Sequence, residues 1–261
     1  LQKHWLISKG LRPLFCTTQE EQMSNDHLVL VGGGSTAGKS ASLQNLRDHP
    51  GVLYLNCESG KRLPFKNNFN SKTITDPHQI FEAFIWAETK SNIHTIVIDT
   101  LTYLMDMYES KYVLPLANKM EGWSNFAQYF KKLMQEHVAS STKKVIFNAH
   151  TLPVYNEQNM AMDVMVPVKG ALKNQGIESY FSCVIAAKKV ALKDLDAFKN
   201  PMLTITPDDE MLGYKHVFQT RLTKETVGER LRGPMGLFSQ QETFINNDIQ
   251  LVLDRLDEFY K

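Results

Sequence analysis

The residues best suited to do chemistry form one short run. Gly33-Gly34-Ser35-Thr36-Ala37-Gly38-Lys39-Ser40 fits the pattern G-x-x-x-x-G-K-[ST] at every fixed position. Glycines let such a loop fold around phosphate oxygens with its N–H groups pointing inward. Lys39 is then placed to reach the β- and γ-phosphates, and the Ser40 hydroxyl to ligate Mg²⁺. Ala41 follows and completes the stretch expected to touch nucleotide. Further along, Asp99 closes the apolar run Thr95-Ile-Val-Ile-Asp99, where a carboxylate can hold Mg²⁺ mostly through water. The pair implies a nucleoside triphosphate, ATP, bound with Mg²⁺.

The neighbours of Asp99 narrow the class. Thr100 follows it, so the Asp-Glu pair typical of AAA+ enzymes is missing, and so is the Asp-x-x-Gly of GTPases. Asn118-Lys119 matches the guanine-reading Asn-Lys-x-Asp only in part and follows no apolar strand. A base that activates water must therefore come from elsewhere. Glu58 stands just past the run Val52–Asn56, and ligands of open α/β sheets gather at the carboxyl ends of strands. It could orient and deprotonate water there; a solvated loop glutamate is the competing reading. His150 ends a fourth apolar run on the same rim, where it could sense the γ-phosphate or simply pack. Glu58, Lys39 and His150 are thus the candidate catalytic groups.

Those residues need a scaffold. His27–Val31, Val52–Asn56, Thr95–Asp99 and Lys144–Asn148 are short, continuous apolar runs, the pattern of strands buried on both faces. Helices are expected from Lys39 to Arg47, stopped at His49-Pro50-Gly51, and from Asp76-Pro77 to Thr89, with Phe84 and Trp86 on the buried face. Leu101 to Ser140 reads as helical, broken near Pro115 and Gly122. Gly60–Thr75 and Thr151–Gly176 read as loops. Further strands are expected at Tyr180–Ala187, with Lys188-Lys189 ending in solvent, and at His216–Leu222. Ile249, Val252, Leu253, Leu256 and Phe259 fall at helical spacing after the cap-like Asn247-Asp248. Alternating strands and helices predict an α/β fold: a mostly parallel central sheet with helices on both faces.

The rest of the composition is less directive. The 261 residues are 43% hydrophobic with a formal net charge of +1, enough for one sizeable core and no global demand for nucleic acid. Cys16, Cys57 and Cys183 have no metal-ligand or disulfide spacing, which suits a reducing cytoplasm. No apolar run approaches the roughly 18–20 residues of a membrane span, so no membrane partner is expected. Met23-Ser-Asn-Asp26 precedes the first strand; residues 1–22 read either as a leader before a natural start at Met23 or as an ordinary extension.

The order of phosphate loop, Glu after strand two, Asp-Thr after strand three and a polar residue ending strand four resembles the RecA superfamily. Leu55-Asn-Cys-Glu58, Leu63-Pro-Phe-Lys66 and Val145-Ile-Phe-Asn-Ala-His150-Thr are similar to phage-encoded RecA-like ATPases of the single-strand annealing and recombination type. The resemblance divides the chain into an extension (residues 1–25), a RecA-like core (26–234) and a C-terminal helical segment (235–261). It implies ATP-linked homo-oligomers on single-stranded DNA, with ATP between subunits, in the host cytoplasm if phage-encoded. Glu58 would take the catalytic glutamate's role, and His150 the sensor position that RecA fills with Gln.

The stretch after His150 lies where such proteins place a DNA-binding loop. Lys169 and Lys173, with Asn156, Gln158, Asn174 and Gln175, could meet phosphates there, with Tyr155 the aromatic platform. A lid or solvated loop is the alternative. Arg221, Lys224, Arg230 and Arg232 form a second basic cluster, of which Arg221, Lys224 and Arg230 are candidates to complete a neighbour's site in trans. Glu225 and Glu229 could instead pair with them locally. Two other readings stay open: a nucleotide or polynucleotide kinase, and a nucleotide-gated loader or assembly ATPase.

Overall fold

The computed structural model describes residues 25–157, 160–170 and 172–261. The 1–22 extension, Cys16 and Gln158 lie outside the described residues, as do the side chains of Asn174 and Gln175.

Every apolar run anticipated above becomes a strand. In chain order the elements are β1 (Leu28–Gly33), β2 (Val52–Asn56), β3 (Asn70–Thr73), α1 (Gln79–Glu88), β4 (Thr95–Asp99), α2 (Leu101–Tyr108), α3 (Lys119–Lys132) and β5 (Lys144–His150). They continue as β6 (Leu152–Asn156), β7 (Ala161–Met165), β8 (Cys183–Ala191), β9 (Tyr214–Gln219) and β10 (Phe244–Asn246), before a last helix at Ile249–Phe259. Among the described residues, eight strands form one sheet in the order β10-β9-β8-β1-β5-β4-β2-β3, while β6 and β7 make a separate hairpin. β8, β1, β5, β4, β2 and β3 run parallel; β9 and β10 add antiparallel to one end.

Side-chain alternation splits the core in two. Leu28, Leu30, Ile96, Ile98, Val145 and Phe147 point to one face and pack against α1, α2 and α3. Val29, Val31, Val97 and Ile146 point to the other, under Leu43, Leu46 and the apolar side of Ile249–Phe259. Burying each such side chain contributes about 1.5–3 kcal/mol, so both faces are anchored. The result is an α/β, mostly parallel sheet with helices on both faces.

Several local expectations give way. Instead of a helix from Lys39 to Arg47 there is one 3₁₀ turn, Ala41–Leu43. The Ser42 hydroxyl takes the Lys39 carbonyl at 2.6 Å, a bond that competes with helical pairing. Asp48, at φ 46°, then turns the chain into His49-Pro50. Gly122 does not break its helix; it lies inside α3, where an added Cβ would meet Val113 Cγ1 at 3.0 Å. The Asn118 side chain accepts from Glu121 N, so Asn118-Lys119 is a helix start. Trp86 is exposed while Phe84 is buried, because two helical positions apart means different faces. β3 and the β6–β7 hairpin arise inside stretches read as loops: β3 is polar throughout, and Pro153 and Asp163 interrupt the strand pattern of β6 and β7. Lys188 is not a solvent terminus: β8 runs past it, and its ammonium pairs with Gln219 and Glu229.

Candidate nucleotide site

β1 delivers Gly33 to the carboxyl edge of the sheet, where the loop turns back through left-handed backbone at Thr36 (φ 61°) and Gly38 (φ 101°). Lys39 Nζ lies across the loop, donating to the Gly33 and Gly34 carbonyls at 2.9 and 2.8 Å. Burial pushes its pKa down to about 8, against the opposing pull of Asp99 and Glu58. The amides of Gly38, Lys39 and Ser40 donate to no backbone carbonyl among the described residues.

Strand parity supplies the rest. Asp99 is paired with Asn56 on β2 and with Asn148 on β5, so three polar side chains meet at one level of the sheet. Asn148 Nδ2 donates to Asp99 Oδ1 at 3.1 Å and Tyr54 Oη to Oδ2 at 2.9 Å, with Ser40 facing the same carboxylate. Burial raises the Asp99 pKa, and these donors oppose the shift. Asn56 shapes the next turn, accepting from Glu58 N and donating to the Lys61 carbonyl. That turn presents Glu58, whose Oε2 accepts from Lys61 Nζ at 2.8 Å. His150 stands between the two catalytic candidates, Nδ1 at 3.3 Å from Lys39 Nζ and Nε2 at 3.8 Å from Glu58 Oε1. Burial, then Lys39, lowers its pKa, while its amide donates to Thr102 Oγ1 at 2.9 Å.

The loop, Asp99, Glu58 and His150 line one cleft of about 380 Å³, together with Tyr54, Arg62 and His216. Among the described residues no cluster of three His, Cys, Asp or Glu could cage a metal. A hydroxyl beside one buried carboxylate instead suits Mg²⁺, which keeps waters and phosphate oxygens as ligands. Ser40 and Asp99 therefore fit the ion that a triphosphate carries.

Comparison with known protein families matches residues 26–228 to the AAA domain. The chain belongs to the AAA domain family. No curated protein matches its sequence. This AAA domain is an AAA-type P-loop NTPase, a class that binds ATP, usually with Mg²⁺, and hydrolyses nucleotide. The inference drawn from Thr100 is thereby corrected: lacking the Asp-Glu pair does not set the chain outside AAA-type proteins. A carboxylate need not follow Asp99 in sequence to stand on the same rim, as the position of Glu58 illustrates.

The other candidates of this AAA domain fall outside the nucleotide cleft, and Lys169, Lys173 and Arg230 together line a second one. Lys169 pairs with Glu109 at 2.6 Å and lies over the Trp123 ring, whereas Lys173 is exposed. Arg221 lies past the end of β9 and donates to the Phe238 carbonyl, and Lys224 is exposed. Arg230 pairs with the buried Glu178 at 3.2 Å and lines that second, apolar cleft of about 420 Å³ beside Trp123. Arg232 donates to the Ser179 carbonyl. The basic run is thus divided between surfaces. Sequence reasoning missed Tyr54, Asn148, His216 and Asn247. A polar atom inside an apolar run was the available signal for the first two. For His216 and Asn247 there was none, because they reach the loop from the far end of the chain. No helix among the described residues is long and apolar enough to cross a membrane.

Proposed function

We propose that the chain is a Mg²⁺-dependent ATP hydrolase in which Glu58 activates the attacking water. The convergence of Lys39, His150 and Glu58 across one rim carries this reading. When bound, Mg²⁺ between Ser40 and the water shell of Asp99 would neutralise charge on the β- and γ-phosphates. Lys39 would exchange its loop carbonyls for phosphate oxygens. Glu58 would take a proton from water as the new P–O bond forms at the γ-phosphorus, and ADP would leave with the electrons of the broken bond. His150, bonded through its amide to Thr102, would report the γ-phosphate to α2.

We further propose that turnover serves a RecA-like, phage-type role on single-stranded DNA, in a homo-oligomer where Arg221 or Lys224 reaches a neighbour's site. The support is the motif order and the location of the exposed Lys173 and Tyr155 after His150. Steady-state ATP turnover with and without single-stranded DNA tests both levels. Stimulation by DNA is expected. Lys169→Ala with Lys173→Ala should weaken DNA binding and flatten its salt dependence. Turnover indifferent to DNA would remove the DNA role, and phosphate transfer to an acceptor in place of water would replace hydrolase with kinase.

A further inference from the structure

We propose that His216 and Asn247 are positioning residues of the nucleotide site, which aim the loop amides by holding the carbonyls that precede them. In a planar trans peptide the C=O of one residue and the N–H of the next point in opposite directions. His216 Nδ1 lies 3.0 Å from the Ala37 carbonyl oxygen, which can only accept, so Nδ1 carries the proton and donates. Fixing that carbonyl fixes the Gly38 amide on the opposite side. Asn247 Nδ2 donates to the Gly38 carbonyl at 2.9 Å, sharing it with Ser42 N at 3.0 Å, and so fixes the Lys39 amide. These amides are among those that find no backbone acceptor within the described residues.

The packing points the same way. Gly38 has φ 101°, and a Cβ there would meet Asn247 Nδ2 at 2.7 Å and His216 Nδ1 at 3.1 Å. The two donors press against the bare loop backbone. A phosphate loop commonly runs into a helix whose backbone holds it; here only the turn Ala41–Leu43 follows. Support comes instead from the distal sheet and the last helix. His216 sits on β9 opposite Lys189 of β8, whose Nζ is 3.4 Å from Thr36 Oγ1. Asn247 precedes Asp248, which caps the helix Ile249–Phe259 and accepts from Asn45 at 2.7 Å.

This inference rests on the loop binding ATP. Equilibrium binding of a fluorescent ATP analogue with Mg²⁺, alongside steady-state turnover and thermal melting, tests it. Asn247→Ala and His216→Leu should each raise Kd and KM roughly three- to tenfold, the worth of one hydrogen bond. The kcat should stay within about twofold, because ground state and transition state lose the same contact. His216→Asn, whose amide nitrogen falls near Nδ1, should restore affinity, whereas His216→Gln, with its nitrogen near Nε2, should not. That pair decides the matter even if the Leu or Ala variant melts early. Asp254→Asn disturbs the pair that the same helix makes with Arg47, without touching the Ala37 and Gly38 carbonyls, and should bind as wild type. Wild-type affinity in both loop variants overturns the proposal, as does equal weakening by Asp254→Asn, or Asn and Gln at position 216 behaving alike. A wild-type chain that binds no ATP overturns the nucleotide reading itself, and this one with it.

Discussion

Replacing Tyr54 by Phe removes one oxygen from the least exposed part of the nucleotide site. The ring stays packed against Phe69, so no cavity opens, and the loss is confined to the 2.9 Å bond to Asp99 Oδ2. A hydrogen bond to a charged group in such surroundings stabilises by about 1.5–3 kcal/mol. That corresponds to a factor of roughly 10–150. The loss has a predictable pH dependence. Burial already raises the Asp99 pKa, so its ionisation in the folded state opposes stability as pH rises through that value. Without Tyr54 the pKa rises further, so the penalty of the variant should be full at high pH and shrink to that of a neutral hydrogen bond where Asp99 is protonated in both proteins. Urea unfolding at one pH below the Asp99 transition and one above it reads this difference. The Mg²⁺ concentration for half-maximal ATP turnover should rise too, because a proton competes better for the carboxylate. A variant equally stable to wild type at both pH values, with an unchanged Mg²⁺ requirement, would refute the assignment of Tyr54 as a donor that keeps Asp99 charged.

Further outcomes follow from the same contacts. Glu58→Gln should lower single-turnover hydrolysis by about 10²–10⁴-fold with nucleotide affinity retained, and near-wild-type turnover would assign the base elsewhere. Leu253→Ala, at a fully buried position of the last helix, should cost about 2–5 kcal/mol in urea titrations, whereas a loss below that range would mean the helix is loosely docked. Burial alone would raise the Asp257 pKa, but Lys144 at 2.5 Å and His27 at 2.8 Å outweigh it and hold the carboxyl below its ordinary value. A depressed carboxylate stabilises above its unfolded pKa and loses that contribution as pH falls through its folded one. Asp257→Asn should therefore be less stable than wild type at neutral pH and converge with it in acid, as melting curves across pH would reveal.

Much of the site was legible because its pieces are local. A phosphate loop needs glycines and a lysine at fixed offsets, and a strand buried on both faces must be apolar until its end. Gly33–Ser40, Asp99, Glu58 and His150 could thus be singled out by spacing, and the sheet brings Ser35–Ser40, Asp99, Glu58 and His150 to one cleft. The expected helix after Lys39 failed because propensity says little about a segment that a serine back-bond and Asp48-His49-Pro50 cut short. β3 and the β6–β7 hairpin were invisible for a related reason: edge and exposed strands need no apolar run to announce them.

What the sequence by itself determined is which groups the phosphate loop offers, Lys39 and Ser40 among them, since that motif lies within a few residues. What only the tertiary structure decided is which side chains orient those groups and Asp99. Tyr54 and Asn148 meet Asp99 through strand order and register, and His216 and Asn247 meet the loop because β9 and the last helix fold back beside β1. Register and docking are set by the summed burial of both sheet faces, a property of no single stretch of chain.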